Sequence, residues 1–403
     1  MIASAVFWSA VLLLGWTYLL FPAVLWLRAA LFPRPWRRGD ATPRVSLVIC
    51  AYNEARGIAA RLENALALEY PRERLEIVVA SDGSTDGTDE IVRGFVRRGV
   101  RLLALPRQGK IPALNTAVGA AFGEVLVFSD ANSEWEPGAL RALLRPFADP
   151  AVGGVAGDQR YLARGRRPDG ADGERAYWDL DRWLKRWQSA AGSATSSTGA
   201  IHAIRRDLFR PVPPGVTDDF WISTNVVSRG RRLVFTEEAV AWEPATPSSG
   251  LEFRRKVRVM TRGLHGVWLM CELCDPRKHG FYALQLFTHK VLRRLAVVPL
   301  AALALSTPWL WNAGPPWRAA TLLQLAFYAA AACGAAFAGR PERLPAPVRR
   351  FSRLLALPSF FCMVNAAAGV AAWNVARGRR IDSWEPQRGP IAAPARAFEA
   401  GRS

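Results

Sequence analysis

The sequence predicts an α/β fold: a mostly parallel sheet flanked by helices, carried on helices that cross a membrane. Three observations predict it. Short apolar runs alternate with segments of helical periodicity between Val45 and Phe128. Each apolar run gives way to a polar cluster at its carboxyl end, where open α/β sheets hold ligands. Segments almost free of charge stand near both ends of the chain, long enough for about 30 Å of hydrocarbon.

The elements follow in order. Ile2 to Leu27 is apolar and uncharged, and Arg28, Arg34, Arg37 and Arg38 come after it. A signal peptide would carry its basic residues first and end in small residues. The positive-inside rule therefore places Met1 outside and the chain after Arg28 in the cytoplasm. Pro33, Pro35 and Pro43 mark a linker. Strands are expected at Val45–Cys50, Glu76–Ala80, Val100–Leu105 and Val125–Phe128. Helices are expected at Gly57–Leu68, Thr88–Arg97 and Ile111–Ala121. Short links between alternating strands and helices require parallel strands with right-handed crossovers.

Further on, Gly165–Gly173 reads as a polar loop, and Ala176–Ala190 as a helix bearing Trp178, Trp183 and Trp187. Ser193–Thr198 is a hydroxyl-rich loop. Three more spans are expected at Val291–Trp311, Ala319–Ala338 and Leu354–Val375, flanked by basic residues including Lys290, Arg293 and Arg294. Three spans would leave the basic tail Arg377–Arg380 outside. Either the last segment, which holds Pro358, is re-entrant or one candidate lies in the interface. The expected units are a membrane helix at 1–30, a cytoplasmic catalytic domain at 31–280 with an interfacial basic helix near 251–270, a membrane region at 281–380 and a tail at 381–403.

Composition narrows the function. The chain of 403 residues is 50% hydrophobic, holds 16 Trp and carries a net charge of +19. The basic residues are spread between apolar runs and form no nucleic-acid module, which favours a membrane protein and no nucleic-acid partner. The 5 Cys are scattered and make no disulfide framework. Cys271 and Cys274 form a single CxxC with no second pair, a poor zinc site.

The stretch Val125–Asn132 organises the chain. A buried strand runs into Asp130 and Asn132, whose side chains, two apart, point the same way. Two hard oxygen donors on one side suit Mg²⁺ or Mn²⁺ together with phosphates; a plain Asp/Asn turn is the alternative.

Seven motifs stand in order: VSLVICAYNE, ASDGSTDGT, GKIPALNTA, FSDAN, GAIHAIRR, TDDF and RRKVRVMTRG. Together they make the chain resemble the membrane-bound, inverting family 2 glycosyltransferases of the cellulose, hyaluronan and poly-N-acetylglucosamine synthase type, with a GT-A fold. The resemblance runs from Val45 to about Gly263. It implies that Tyr52 and Glu54 touch the base and ribose, that Asp82 accepts a hydrogen bond from the uracil or ribose, and that Lys110 meets the diphosphate. Asp86 would cap the following helix. Asp130 and Asn132 occupy the Asp-x-Asp position, with an amide for the second carboxylate. Thr217–Phe220 matches the Thr-Glu-Asp motif with Asp218 in the Glu place, which makes Asp219 the general base. Arg258 stands in the Gln-x-x-Arg-Trp register and would meet the departing diphosphate. The Gln and Trp are absent, which weakens any case for processive synthesis. A basic amphipathic helix on anionic lipid explains the same residues.

The implied function is transfer of a sugar from a nucleotide-diphosphate sugar, expected to be a UDP-sugar, to a hydroxyl of a lipid-linked or polysaccharide acceptor at the bacterial inner membrane, with Mg²⁺ or Mn²⁺ as cofactor. Membrane lipids and polysaccharide-export proteins are the expected partners. The rivals are a polyprenyl-phosphate sugar synthase and a membrane transport or scaffold protein with an inactive transferase domain.

Overall fold

The computed structural model describes residues 1–162, 171–244, 249–336 and 352–381. An eight-stranded sheet runs through it in the order β3-β2-β1-β4-β7-β6-β8-β5. The strands are β1 (Val45–Ala51), β2 (Leu75–Asp82), β3 (Val100–Leu105), β4 (Val125–Asp130), β5 (Glu134–Trp135), β6 (Val152–Leu162), β7 (His202–Arg205) and β8 (Arg232–Pro244). β1 pairs in parallel with β2 and β4, and β2 with β3. β7 is antiparallel to β4 and β6, which makes the sheet mixed.

The central strands are buried on both faces, and their alternation divides the core. Leu47, Ile49 and Ala51 of β1 point to one side, with Leu62, Trp135 and Leu140. Val48 and Cys50 point to the other, with Leu114, Leu126 and Ile222. The apolar runs of β1, β2 and β4 thus mark strands covered twice.

Element boundaries shift modestly. β2 and β4 run on to Asp82 and Asp130, so the site carboxylates are the last residues of their strands. The helix expected over Thr88–Arg97 ends at Arg93, and Val96–Arg98 continues as a 3₁₀ turn. Most of the predicted Gly165–Gly173 loop lies outside the described residues, and its last three residues open a helix at Ala171–Ala191. On that helix Trp183 is exposed, while Trp187 packs against Phe21 and Leu25 of the N-terminal helix.

Among the described residues, three helices are long and apolar enough to cross a membrane: Ile2–Leu31, Pro315–Ala336 and Leu355–Ala376. The expected span Val291–Trp311 is broken. It divides into a π turn ending at Leu292, a 10-residue helix at Val297–Ser306 and a 3₁₀ segment at Pro308–Ala313. Pro308 opens the 3₁₀ segment, and Pro299, in the first turn of the Val297–Ser306 helix, has no N–H to bond back to Leu295 in the break before it. The Leu355–Ala376 helix packs on the basic helix Ser249–Leu269, with Ala367, Ala368 and Ala371 against Met260. The basic residues from Arg340 to Arg350 lie outside the described set.

Trp135 ties the sheet to its flanking layer. It is fully buried, and its indole N–H donates to the Ala200 carbonyl at 3.0 Å. Trp135→Ala is expected to cost about 3–5 kcal/mol through the cavity and the lost bond. Thermal unfolding in detergent should show a large fall; a melting point like the parent's would refute this packing role.

Candidate active site

The site forms at the carboxyl ends of β1, β2 and β4, where the strand order places β1 between the other two. The register sets Ala51 opposite Ser81 and Cys50 opposite Asp130, so Asp82 and Asp130 flank the end of β1. The loops after β1 and β2 interlock. Asn53, at φ 52°, accepts from the Thr85 N–H at 2.8 Å. Asp86 accepts from the N–H groups of Ala55 at 3.0 Å and Thr88 at 3.1 Å, as expected of a residue at that helix start. The Glu54 N–H donates to the Thr88 hydroxyl at 2.7 Å.

Asp82 is fully buried and accepts from the Gln108 N–H at 2.7 Å and the Gly109 N–H at 2.9 and 3.0 Å. It also pairs with Arg107. The Arg107 guanidinium lies 3.5 Å from the centre of the Tyr52 ring. Tyr52 and Asp82, expected to hold the base, therefore stand on two sides of one guanidinium. The sequence reading did not single out Arg107.

Lys110 opens the helix Lys110–Ala120 and points across the rim. Its Nζ lies 2.9 Å from Asp130 Oδ1 and 2.9 Å from Asp218 Oδ2. Burial opposes its charge, but the two carboxylates outweigh burial and hold its pKa well above the ordinary value. Burial likewise opposes ionisation of Asp218, and Lys110 reverses the balance and holds it below the usual carboxylate range. On the far side of Asp130, Gly199 makes room: a Cβ there would sit 2.8 Å from Asp130 Oδ2. Asn132 follows in the exposed turn after β4.

Asp218 and Asp219 begin the helix Asp218–Ser228, with Thr217 at its N-cap. The two carboxylates serve different compartments. Asp218 faces Lys110, whereas Asp219 lines a cavity of about 750 Å³ together with the loop Thr195–Thr198. Asp219 Oδ1 accepts the Phe220 N–H at 2.8 Å. Burial, then the charge of Asp218, pushes its pKa up to about 6. Asp82, Lys110, Asp130 and Asp218 do not line this cavity; Asp219, next in sequence to Asp218, does.

Arg258 projects from the basic helix. Burial and its neighbours Arg262 and Arg255 lower its pKa, and the field of Asp130 works the other way. Its neighbours Arg255 and Lys256 pair with Glu252 at 2.9 and 3.3 Å.

Two further groups belong to the site. Glu243 accepts from Ser133 at 2.7 Å, and burial, then Asp130, pushes its pKa up to about 7. His202 donates from Nδ1 to the Thr198 carbonyl at 2.9 Å and stacks on Phe128, and burial pushes its pKa down to about 4. His202 lies in the GAIHAIRR motif, which carried the only sequence signal for it. Glu243 had none, because the pairing of β6 with β8 brings it to the rim.

The raised pKa of Asp219 has a thermodynamic consequence. Its protonated form is favoured in the folded chain, so its contribution to stability is fully present below the unfolded value near 4 and is lost as pH rises through about 6. Asp219→Asn should therefore raise stability at pH 7–8 by on the order of 1–2 kcal/mol, discounted because the carboxyl is partly exposed to the cavity. The gain should vanish below about pH 4 in thermal unfolding. A variant less stable than the parent at pH 8 would contradict this.

Residues 46–212 match the family described as Glycosyl transferase family 2. Poly-beta-1,6-N-acetyl-D-glucosamine synthase of Staphylococcus aureus strain COL is 26% identical over 271 residues, 66% of this chain and 64% of that protein. The enzyme of the same name from Staphylococcus epidermidis is 24% identical over 62% of this chain and 65% of its own length. The chain thus spans slightly less than two thirds of these curated relatives. Among solved structures, the mannosyltransferase PcManGT from Pyrobaculum calidifontis, in complex with GDP-Man and Mn²⁺, superposes with a TM-score of 0.67 at 25% identity, covering 92% of this chain and 98% of that one. The family match thus falls on the part of the chain that carries this mixed sheet and this rim of carboxylates.

Proposed function

We propose that the chain is a membrane-bound inverting glycosyltransferase that moves one sugar from a nucleoside diphosphate sugar to a hydroxyl acceptor at the bilayer face. One observation carries the reading: the Lys110 ammonium joins Asp130 and Asp218 at 2.9 Å each, with Asp219 next in sequence facing a separate cavity. A donor site and an acceptor site thereby meet at adjacent residues.

The nucleoside lies over Tyr52, Glu54 and Asp82, and Arg107 moves off the Tyr52 ring to admit the base. Lys110 and Arg258 supply positive charge to the diphosphate. Asp219 accepts the proton of the acceptor hydroxyl. The acceptor oxygen bonds to the anomeric carbon as the bond from that carbon to the diphosphate breaks, and the departing nucleoside diphosphate keeps the electron pair. Attack from the face opposite the diphosphate inverts the centre.

Asp130 with Asn132 fits a divalent ion. Among the described residues no three His, Cys, Asp or Glu side chains converge, so such an ion would draw most of its ligands from the diphosphate. The field of Asp130 on buried Glu243 is negative potential that a cation relieves. When bound, Mg²⁺ or Mn²⁺ would neutralise the diphosphate.

A uridine donor is the first reading, as the motif resemblance from Val45 to about Gly263 implies. The GDP-Man bound to the superposable mannosyltransferase favours guanosine as the second. The acceptor in this reading is a lipid-linked sugar or a polysaccharide; the long apolar helices and the likeness to a polysaccharide synthase support a place at a membrane, and the basic residues after Leu27 support a cytoplasmic catalytic domain at the bacterial inner membrane.

Nucleotide release from UDP- and GDP-sugars by membranes tests the proposal. Asp219→Asn should slow release about 10²–10⁴-fold. In the parent, the rate should rise with pH through about 6 as Asp219 ionises. Full activity of Asp219→Asn would eliminate the general-base role and favour a polyprenyl-phosphate acceptor. The absence of release from every donor would favour an inactive domain.

A further inference from the structure

The cavity beside Asp219 has three distinct zones. Its polar end holds Asp219 and the hydroxyls of Thr195–Thr198. Lys185, His289, Lys290, Arg293 and Arg294 supply its cationic lining. The carboxylates that line it are Asp181 and Asp219. Asp181 lies 3.0 Å from Lys185 and 3.8 Å from His289. Positive charge is therefore in excess. Burial, then Arg294, pushes Lys290 down to about 7, and burial with Arg293 and Lys290 holds His289 well below its ordinary value. Cations that suppress one another's charge in a buried site present a potential suited to an anion.

The third zone is apolar and comes from the membrane helices. Tyr18, Phe327 and Phe361, one from each of the three long apolar helices, meet with ring centres 6.0 and 5.9 Å apart. Leu357 and Val364 extend this wall. A free sugar chain would find few hydrogen-bond partners here, and a free phosphate would leave the wall bare. The donor diphosphate has its own cation, Lys110, which lies outside this cavity.

We propose that the cavity binds a phosphate group borne on an apolar chain, the membrane anchor of the acceptor: the phosphate against Lys290, Arg293 and Arg294, the chain along Phe327, Leu357 and Phe361, and the accepting hydroxyl end beside Asp219. The acceptor role rests on the glycosyltransferase reading above; the binding site does not.

The test is native mass spectrometry of the full chain purified in detergent. Three probes are compared: a long-chain polyprenyl monophosphate, the corresponding polyprenol, and inorganic phosphate. The phosphate lipid should be retained at least about tenfold better than either of the others, the worth of one charge-assisted contact. Lys290→Gln and Arg293→Gln should each reduce that retention about tenfold, and Phe361→Ser should reduce it without changing the preference for phosphate over alcohol. Equal retention of polyprenol and its phosphate, or charge variants that bind as the parent does, would overturn the proposal. Nucleotide release does not enter this readout. A chain that releases nucleotide but shows no phosphate preference loses only this inference, and one that retains the phosphate lipid but releases no nucleotide loses only the transferase reading.

Discussion

The ion pairs of Lys110 with Asp130 and Asp218 are the interaction on which the site depends. Without that ammonium, two carboxylates from distant parts of the chain would repel across a partly desolvated gap. With it they are drawn together, one at the end of β4 and the other at the start of the Asp218–Ser228 helix. In the proposed reaction the same charge neutralises the diphosphate. Structure and proposed chemistry thus use one cation, and a bound diphosphate would compete for it.

Adjacency does the rest. On the first turn of a helix, consecutive side chains diverge. Asp218 therefore turns to Lys110 while Asp219 turns to the cavity. The ionised Asp218 next door, added to burial, makes Asp219 hold a proton more tightly than an ordinary carboxylate. That suits a base which must accept a proton near neutral pH. The long apolar helices complete the cavity, so the proposed acceptor side of the site exists only with these segments in place.

Much of this was legible in the sequence. The runs EIVVA and VLVF mark doubly covered strands, and Asp82 and Asp130, which follow them, mark the rim. The basic pattern of Leu251–Gly263 marks a helix with one face for its neighbours. Long-range pairings were not legible. Glu243 reaches the rim only through the register of β8 against β6, and Arg107 reaches Tyr52 only because its loop folds back over Asp82. Hydropathy alone also joined Val291 to Trp311, because an average over a window does not register where Pro299 and Pro308 fall. The cationic cavity escaped because Lys185 and Lys290 are far apart in the sequence and line one cavity only when the helices that carry them pack.

The central claim is that a donor and an acceptor compartment meet at Asp218 and Asp219. A structure of the full chain with an intact, non-transferable nucleoside diphosphate sugar tests it most directly. The account predicts the diphosphate at Lys110 and the anomeric carbon between it and Asp219, with Asp219 on the face away from the diphosphate. A diphosphate seated instead among Lys290, Arg293 and Arg294, or Asp219 on the leaving-group side, would contradict it.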